Sequence, residues 1–309
     1  MSLALLCSGQ GRQNRAMFDL FVDHAAAAPI LAEAGALLGI DARTLLHTTD
    51  DAVLFANRTS QILCVARGLA AAACLPPIER MLVAGYSVGE MTAWGVAGIW
   101  SAQRTLELTA VRAETMDAAG GADDGMGFVR GLPRDQVATL AEQFDCAIAI
   151  VNPDRLIVLG GERAQVERCC HAAIEAGAVA AQPIAVRVAS HTPRLSRAVA
   201  PFRAALESSA PGRPYPSRTL IGVADASVVS GGRSVPGLAA QIDTTIDWAA
   251  TLEALIERGV RRVLELGPGT ALADMARAAY PMLEARSVDD FRTLDGIAAW
   301  IALGPRYDR

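Results

Sequence analysis

The stretch LVAGYSVGEMTAWGVAGI, Leu82–Ile99, decides how this chain is read. The apolar run Met81 to Ala84 has the length of a buried strand, and Met91, Trp94 and Ile99 then recur at roughly helical spacing. Gly85-Tyr86-Ser87-Val88-Gly89 therefore falls on a strand-to-helix turn. This is the G-x-S-x-G pattern, in which small flanking residues let a strained turn lift a serine hydroxyl toward a ligand. Two readings of the pentapeptide stand side by side: a tight glycine-rich turn carrying an incidental serine, and a nucleophile at its elbow.

Outward from this turn, strands and helices alternate. Leu3 to Cys7 reads as a first strand, followed by the loop SGQGRQ. An alanine-rich helical stretch runs from about Met17 to Ala73, with breaks at Pro29 and near Asp50-Asp51. Beyond the serine turn comes a helix with Ser101 as its N-cap, ending in the flexible DAAGGADDG. Between Gly125 and Val188 the rhythm changes to strand (MGFVRGL), helix (PRDQVATLAEQF, opened by Pro133), two strands (CAIAIV and RLIVLGG), helix (ERAQVERCCHAAIEAGA) and strand (AQPIAVRV). That βαββαβ order predicts a ferredoxin-like insert. A helix with Thr192 as N-cap and Pro193 at its first position follows. Next come a loop-rich segment, SSAPGRPYPSRTLIGVADASVVSGG, a helix from about Trp248 to Arg258 and the strand RRVLELG. Strands alternating with helices on both sides of the insert predict an α/β core.

The chain has 309 residues, enough for roughly two domains or one large domain with an insertion. It is 52% hydrophobic and 20% charged, which supports a sizeable core and argues against wholesale disorder. A formal net charge of -5, with no basic stretch, excludes nucleic acid as the main partner. The six cysteines include no C-x-x-C pair and read as reduced thiols. MSLALLCSGQG lacks the basic start of a targeting segment, and no run approaches the eighteen or more apolar residues of a membrane span. The expectation is a soluble cytoplasmic protein with no membrane partner.

A serine hydroxyl needs a base to accept its proton, usually histidine. Four histidines are present. His24 and His47 lie in the alanine-rich helical region, and His171 lies within a helix of the insert. His191 sits where a strand ends and a capped helix begins, a place that projects side chains into a cleft. It is either a polar residue helping to cap that helix or the base. In LTAVRAETM, Leu108, Arg112 and Met116 share one helix face. A guanidinium in an apolar stripe is costly to bury unpaired. Arg112 is thus either an internal ion-pair or snorkelling residue, or a fork for a substrate carboxylate. SGQGRQ and LELGPGTALADM are each most simply turns.

In this order, GQGRQ, GYSVGE, RAETM, VNPDRLIVLGG, ASHT and ELGPG resemble the malonyl-CoA:acyl carrier protein transacylase family over nearly the whole chain. The resemblance implies an α/β-hydrolase-like domain, residues 1–124 and 189–309, interrupted by a ferredoxin-like subdomain, residues 125–188, with the site between them. It implies Ser87 as the acylated nucleophile and His191 as its base. Backbone N–H groups of Gln10 and Val88 would form the oxyanion hole, and Arg112 would hold the malonyl carboxylate. It further implies malonyl-CoA as substrate, an acyl carrier protein as partner, and no permanently bound cofactor or metal. In this family a main-chain carbonyl orients the histidine; the matching stretch here is IDTTIDW, with Asp247 where glutamine or another polar residue is usual.

Several positions depart from the family. Tyr86 and Val88 replace the histidine and leucine of GHSLGE, Ser8 replaces the proline before GQG, and Leu156 stands near the place of a usual glutamine. GYSVGE in a stand-alone chain looks most like the epsilon subunit of malonate decarboxylase, which would add other subunits of that enzyme as partners. The alternatives are a fatty-acid or polyketide malonyl transacylase, a serine thioesterase or esterase, and a non-catalytic carrier-docking subunit. An esterase would place an acid between serine and histidine, and no residue there has an obvious triad context.

Overall fold

Leu3–Cys7 (β1) is an unbroken apolar pentapeptide buried at every residue, as befits the middle of a parallel sheet covered on both faces. The computed structural model describes residues 3–304. After β1 the strands are β2 (Met81–Gly85), β3 (Asp124–Arg130), β4 (Ala147–Asn152), β5 (Leu156–Glu162), β6 (Ala180–Ile184), β7 (Arg218–Ile221), β8 (Ile246–Asp247), β9 (Arg262–Glu265) and β10 (Glu284–Ser287). One sheet has the order β10-β9-β1-β2-β7 with every pairing parallel. Its neighbours from β1 onward step to one side, and the chain then crosses back to β9 on the other. Ligands in such sheets collect beyond the C-terminal ends of the strands at this reversal. Here those ends are Cys7 and Gly85, which are paired in register.

The second sheet has the order β6-β3-β5-β4-β8. Its first four strands pair antiparallel in the ferredoxin-like arrangement. The two-residue β8 adds in parallel beside β4 from outside the 125–188 segment. A separate small core of Val129, Val137, Ile157, Leu159 and Cys169 lies beneath this sheet. The molecule is thus α/β, with an α/β-hydrolase-like parallel sheet and a smaller ferredoxin-like one.

Several local expectations are corrected. Residues 17–27 form successive turns, and the long helical stretch divides into helices Ala28–Leu38, Ala42–Thr48, Asp51–Leu54 and Asn57–Cys74. Pro29 opens the first of these helices, because its missing N–H is unneeded in a first turn. The segment read as loop-rich contains β7, an edge strand supported by β2. Thr192 does precede a helical turn, but Pro193–Leu195 is a 3-10 turn and the α-helix is Ser196–Ser208. The Thr192 hydroxyl donates to the Ala189 carbonyl at 2.7 Å instead of capping. Ser101 caps as expected, accepting from the Arg104 N–H at 3.1 Å.

Candidate active site

The serine turn is built by its glycines. A Cβ on Gly85 would lie 2.2 Å from the Gly89 carbonyl oxygen, and one on Gly89 would lie 2.1 Å from the Cys7 carbonyl oxygen. Only hydrogen fits at either place, so β1, β2 and helix Gly89–Ala97 meet in direct backbone contact. Ser87, between them, adopts φ 55°, a left-handed conformation that non-glycine residues seldom take. A half-buried serine in such a conformation marks a candidate functional position.

The loop after β1 lies against this turn. The Tyr86 N–H donates to the Cys7 carbonyl at 2.9 Å, and a Cβ on Gly9 would stand 3.6 Å from the Ser87 Cβ. Gly11 N–H donates to Gln13 Oε1 at 2.7 Å, and Gln13 Nε2 donates to Ser60 Oγ at 2.6 Å, which anchors the loop. Among the described residues, neither the Gln10 nor the Val88 N–H has an acceptor. Ser8, at the usual proline position, donates through Oγ to Glu265 of the ELGPG motif at 2.8 Å. Glu265 also accepts from the Ala273 N–H at 2.8 Å, so this motif buttresses the loop.

His191 arrives from the opposite side. β6 ends at Ile184, so His191 does not stand directly at a strand end. It follows an irregular segment and adopts φ 61°, with its N–H donating to the Ile242 carbonyl at 2.7 Å. Ser87 Oγ and His191 Nε2 are 2.7 Å apart. On the other side of the ring, Nδ1 bonds to the Gln241 carbonyl oxygen. A carbonyl only accepts, so Nδ1 carries the proton and Nε2 is left to accept from the serine. Burial first, and then the positive Arg112, push the His191 pKa down to about 3. The imidazole is therefore neutral at pH 7.

The carbonyl is not in the stretch expected to supply it. Gln241 precedes IDTTIDW, while the Asp247 side chain caps helix Trp248–Glu257 by accepting from the Ala250 N–H at 2.9 Å. Tyr86 packs edge-on against Trp248 with ring centroids 5.4 Å apart.

Arg112 projects from helix Ala102–Ala119 and is 1% exposed. Its Nη1 donates to Gln61 Oε1 at 2.7 Å, Nη2 reaches Gln241 Oε1 at 3.5 Å, and Nε has no partner among the described residues. The internal ion-pair reading fails, since no carboxylate of the described residues stands within ion-pair distance. Burial, opposed by the field of Glu90, lowers its pKa to about 10, so it stays charged.

Sequence reasoning missed Gln61 and Gln241, which hydrogen-bond Arg112, and Glu90, which accepts from Gln241. Gln61 had a signal: Asn57, Gln61 and Arg67 are polar positions inside an apolar helix, and all three are buried. Gln241, in AAQIDTT, had none.

A strand-turn-helix serine beside a neutral imidazole, two backbone N–H groups without an acceptor among the described residues and a buried cation together form an arrangement that can carry acyl-group chemistry. Residues 4–268 match the acyl transferase domain family, and the chain belongs to that family. It is 28% identical over 96% of its length, and 99% of the relative's, to a malonyl CoA-acyl carrier protein transacylase of Mycobacterium tuberculosis. An acyl-carrier-protein S-malonyltransferase structure from Burkholderia pseudomallei superposes with TM-score 0.88 at 27% identity, covering 97% of this chain and 100% of that one. A malonyl-transacylase solved in complex with a type II polyketide acyl-carrier protein matches with TM-score 0.88 at 25% identity, covering 97% and 99%. No helix among the described residues is long and apolar enough to cross a membrane.

Proposed function

We propose that this protein transfers a malonyl group from malonyl-CoA, through an ester on Ser87, to the thiol of an acyl carrier protein. The observation that carries the reading is Arg112: a buried, charged fork hydrogen-bonded by neutral amides, joined to His191 through Gln241, and with no carboxylate of the described residues within ion-pair distance. A neutral acyl group gives such a cation nothing to bind, whereas a malonyl carboxylate completes it.

In this reading Ser87 Oγ attacks the thioester carbonyl as its proton passes to His191 Nε2. The carbonyl oxygen takes up negative charge facing the Gln10 and Val88 N–H groups, beside the N-terminus of helix Gly89–Ala97. The C–S bond breaks, and His191 returns the proton to the departing CoA sulfur. The carrier thiol then attacks the acyl-serine by the reverse steps, a ping-pong sequence. The malonyl carboxylate would also cancel part of the Arg112 field that depresses His191, so the correct substrate raises the basicity of its own base.

The names of the relatives support malonyl transfer between CoA and a carrier protein. For the carrier we propose the acyl carrier subunit of malonate decarboxylase, on the strength of GYSVGE with Tyr86 at the usual histidine position. Mass spectrometry after brief exposure to malonyl-CoA tests the acyl-enzyme: the Ser87 peptide is expected to gain one malonyl group, and Ser87→Ala none. A Ser87→Ala protein that still gained this mass would sink the assignment. Chasing the labelled enzyme with purified malonate decarboxylase or fatty-acid carrier proteins separates the two destinations.

A further inference from the structure

Glu90 lies in the first turn of helix Gly89–Ala97, and it is buried. Its Oε2 accepts from Gln241 Nε2 at 2.6 Å, and its Oε1 accepts from the Val223 N–H at 3.3 Å. Gln241 in turn touches all three residues of the proposed chemistry. Its main-chain carbonyl holds His191 Nδ1, its Nε2 lies 3.5 Å from the Ser87 carbonyl oxygen, and its Oε1 faces Arg112 Nη2 at 3.5 Å. A side-chain amide has two unlike ends, and only one sense of it suits this position. With Oε1 toward Arg112 the contact is attractive; reversed, an NH2 group would face a buried cation.

An ionised carboxylate only accepts hydrogen bonds, so it selects the sense that turns Nε2 toward itself. We propose that Glu90 is a positioning residue acting through Gln241: it holds the sense of that amide and thereby the anion-receiving geometry of Arg112. The proposal rests on the acyl-transfer reading above. The groups facing Glu90 are the Arg112 guanidinium from helix Ala102–Ala119, Gln241 from the end of helix Val235–Ala240, the Val223 N–H from the loop after β7, and the Trp94 indole of its own helix. Burial first raises the Glu90 pKa to about 7, against the lowering effect of these partners. Once protonated, the carboxyl can donate as well as accept, and only the 3.5 Å contact with Arg112 is left to select the sense of the amide.

The test is the pH dependence of kcat/KM for malonyl-CoA in wild type, Glu90→Gln and Gln241→Met; the last keeps the main-chain carbonyl and removes the amide. This parameter reports the free enzyme, where His191 is neutral far below the window examined. Wild-type kcat/KM is expected to fall below about pH 7, approaching about tenfold per pH unit. Both variants are expected to be lower at pH 8 and flat across the same range, with circular dichroism unchanged. A merely structural role would lower the rate without removing the limb. A wild-type profile flat through pH 7, or a limb retained in either folded variant, overturns the assignment. Failure of wild type to malonylate Ser87 sinks the acyl-transfer reading itself, and this inference with it.

Discussion

Arg67 and Arg112 are buried to the same degree, each 1% exposed; among the described residues Arg67 leaves Nε and Nη1, and Arg112 leaves Nε, without a hydrogen-bond partner. Their surroundings differ. Arg67 pairs with Asp289 and lies 4.3 Å from the centroid of the Phe21 ring, so its charge is answered from within the chain. Arg112 meets the oxygens of Gln61 and Gln241, neutral groups that orient a cation without neutralising it. Burial alone therefore says little about a buried arginine's purpose. What separates the two cations is whether the fold pairs them directly with a carboxylate.

The largest effect expected at the Arg112 centre comes from its neighbour. His191→Ala should slow Ser87 acylation by roughly 10²–10⁴-fold, the worth of a positioned general base; single-turnover labelling with malonyl-CoA measures it. Rates near wild type would leave the pair without a function in acylation.

Arg112→Ala is expected to lose most kcat/KM for malonyl-CoA while retaining activity with acetyl-CoA. Hydrogen bonds to charged groups contribute about 1.5–3 kcal/mol, or roughly 10- to 150-fold, and only the malonyl group would make them. Arg112→Lys should recover part of the loss, because an ammonium cannot reproduce the planar fork. An equal fall for both thioesters would erase the distinction between the two arginines.

At the Arg67 centre the cost is expected in stability. Asp289→Asn leaves Arg67 without its anion and should lower unfolding free energy by about 1–3 kcal/mol, with malonylation of the folded protein unchanged. The Asp289 side chain is 27% exposed, which keeps the effect below that of a fully buried pair. Urea midpoints and Ser87 labelling together decide it.

A pH-dependent effect is expected at Glu265, beside Arg67. Burial raises its pKa from 4.5 to about 7 in the folded protein, against hydrogen bonds from Ala273 and Ser8 that lower it. Between these values the native state binds more protons than the unfolded one, so this group's contribution to stability falls as pH rises. Above about pH 7 the penalty is complete. The stability of Glu265→Gln relative to wild type should thus grow from pH 5 to 7 and level off above. A difference independent of pH would place Glu265 in a neutral role throughout.

Much of the serine side of the site is local, and local features can be read along the chain. Gly85 and Gly89 announce a turn that admits no Cβ, Ser101 announces a helix start, and the βαββαβ order announces the smaller sheet. The histidine side is assembled from distant segments. His191 was singled out for its place at a strand end, yet β6 stops at Ile184 and the residue is seated by Gln241 and Ile242. Asp247 stood in the stretch expected to orient it and proved to be a helix cap.

The sequence by itself determined which backbone turns were possible, because glycine, proline and capping residues act on their own and adjacent dihedrals. It also determined that Arg112 would be carried on an apolar helix face, because helical periodicity places Leu108 and Met116 beside it. Only the tertiary structure decided that Arg112 has no carboxylate of the described residues within ion-pair distance, that Gln241 faces it, and that Glu90 faces Gln241. Those contacts join positions 90, 112 and 241, and hydrogen bonds between side chains so far apart leave no periodicity for a one-dimensional reading to detect.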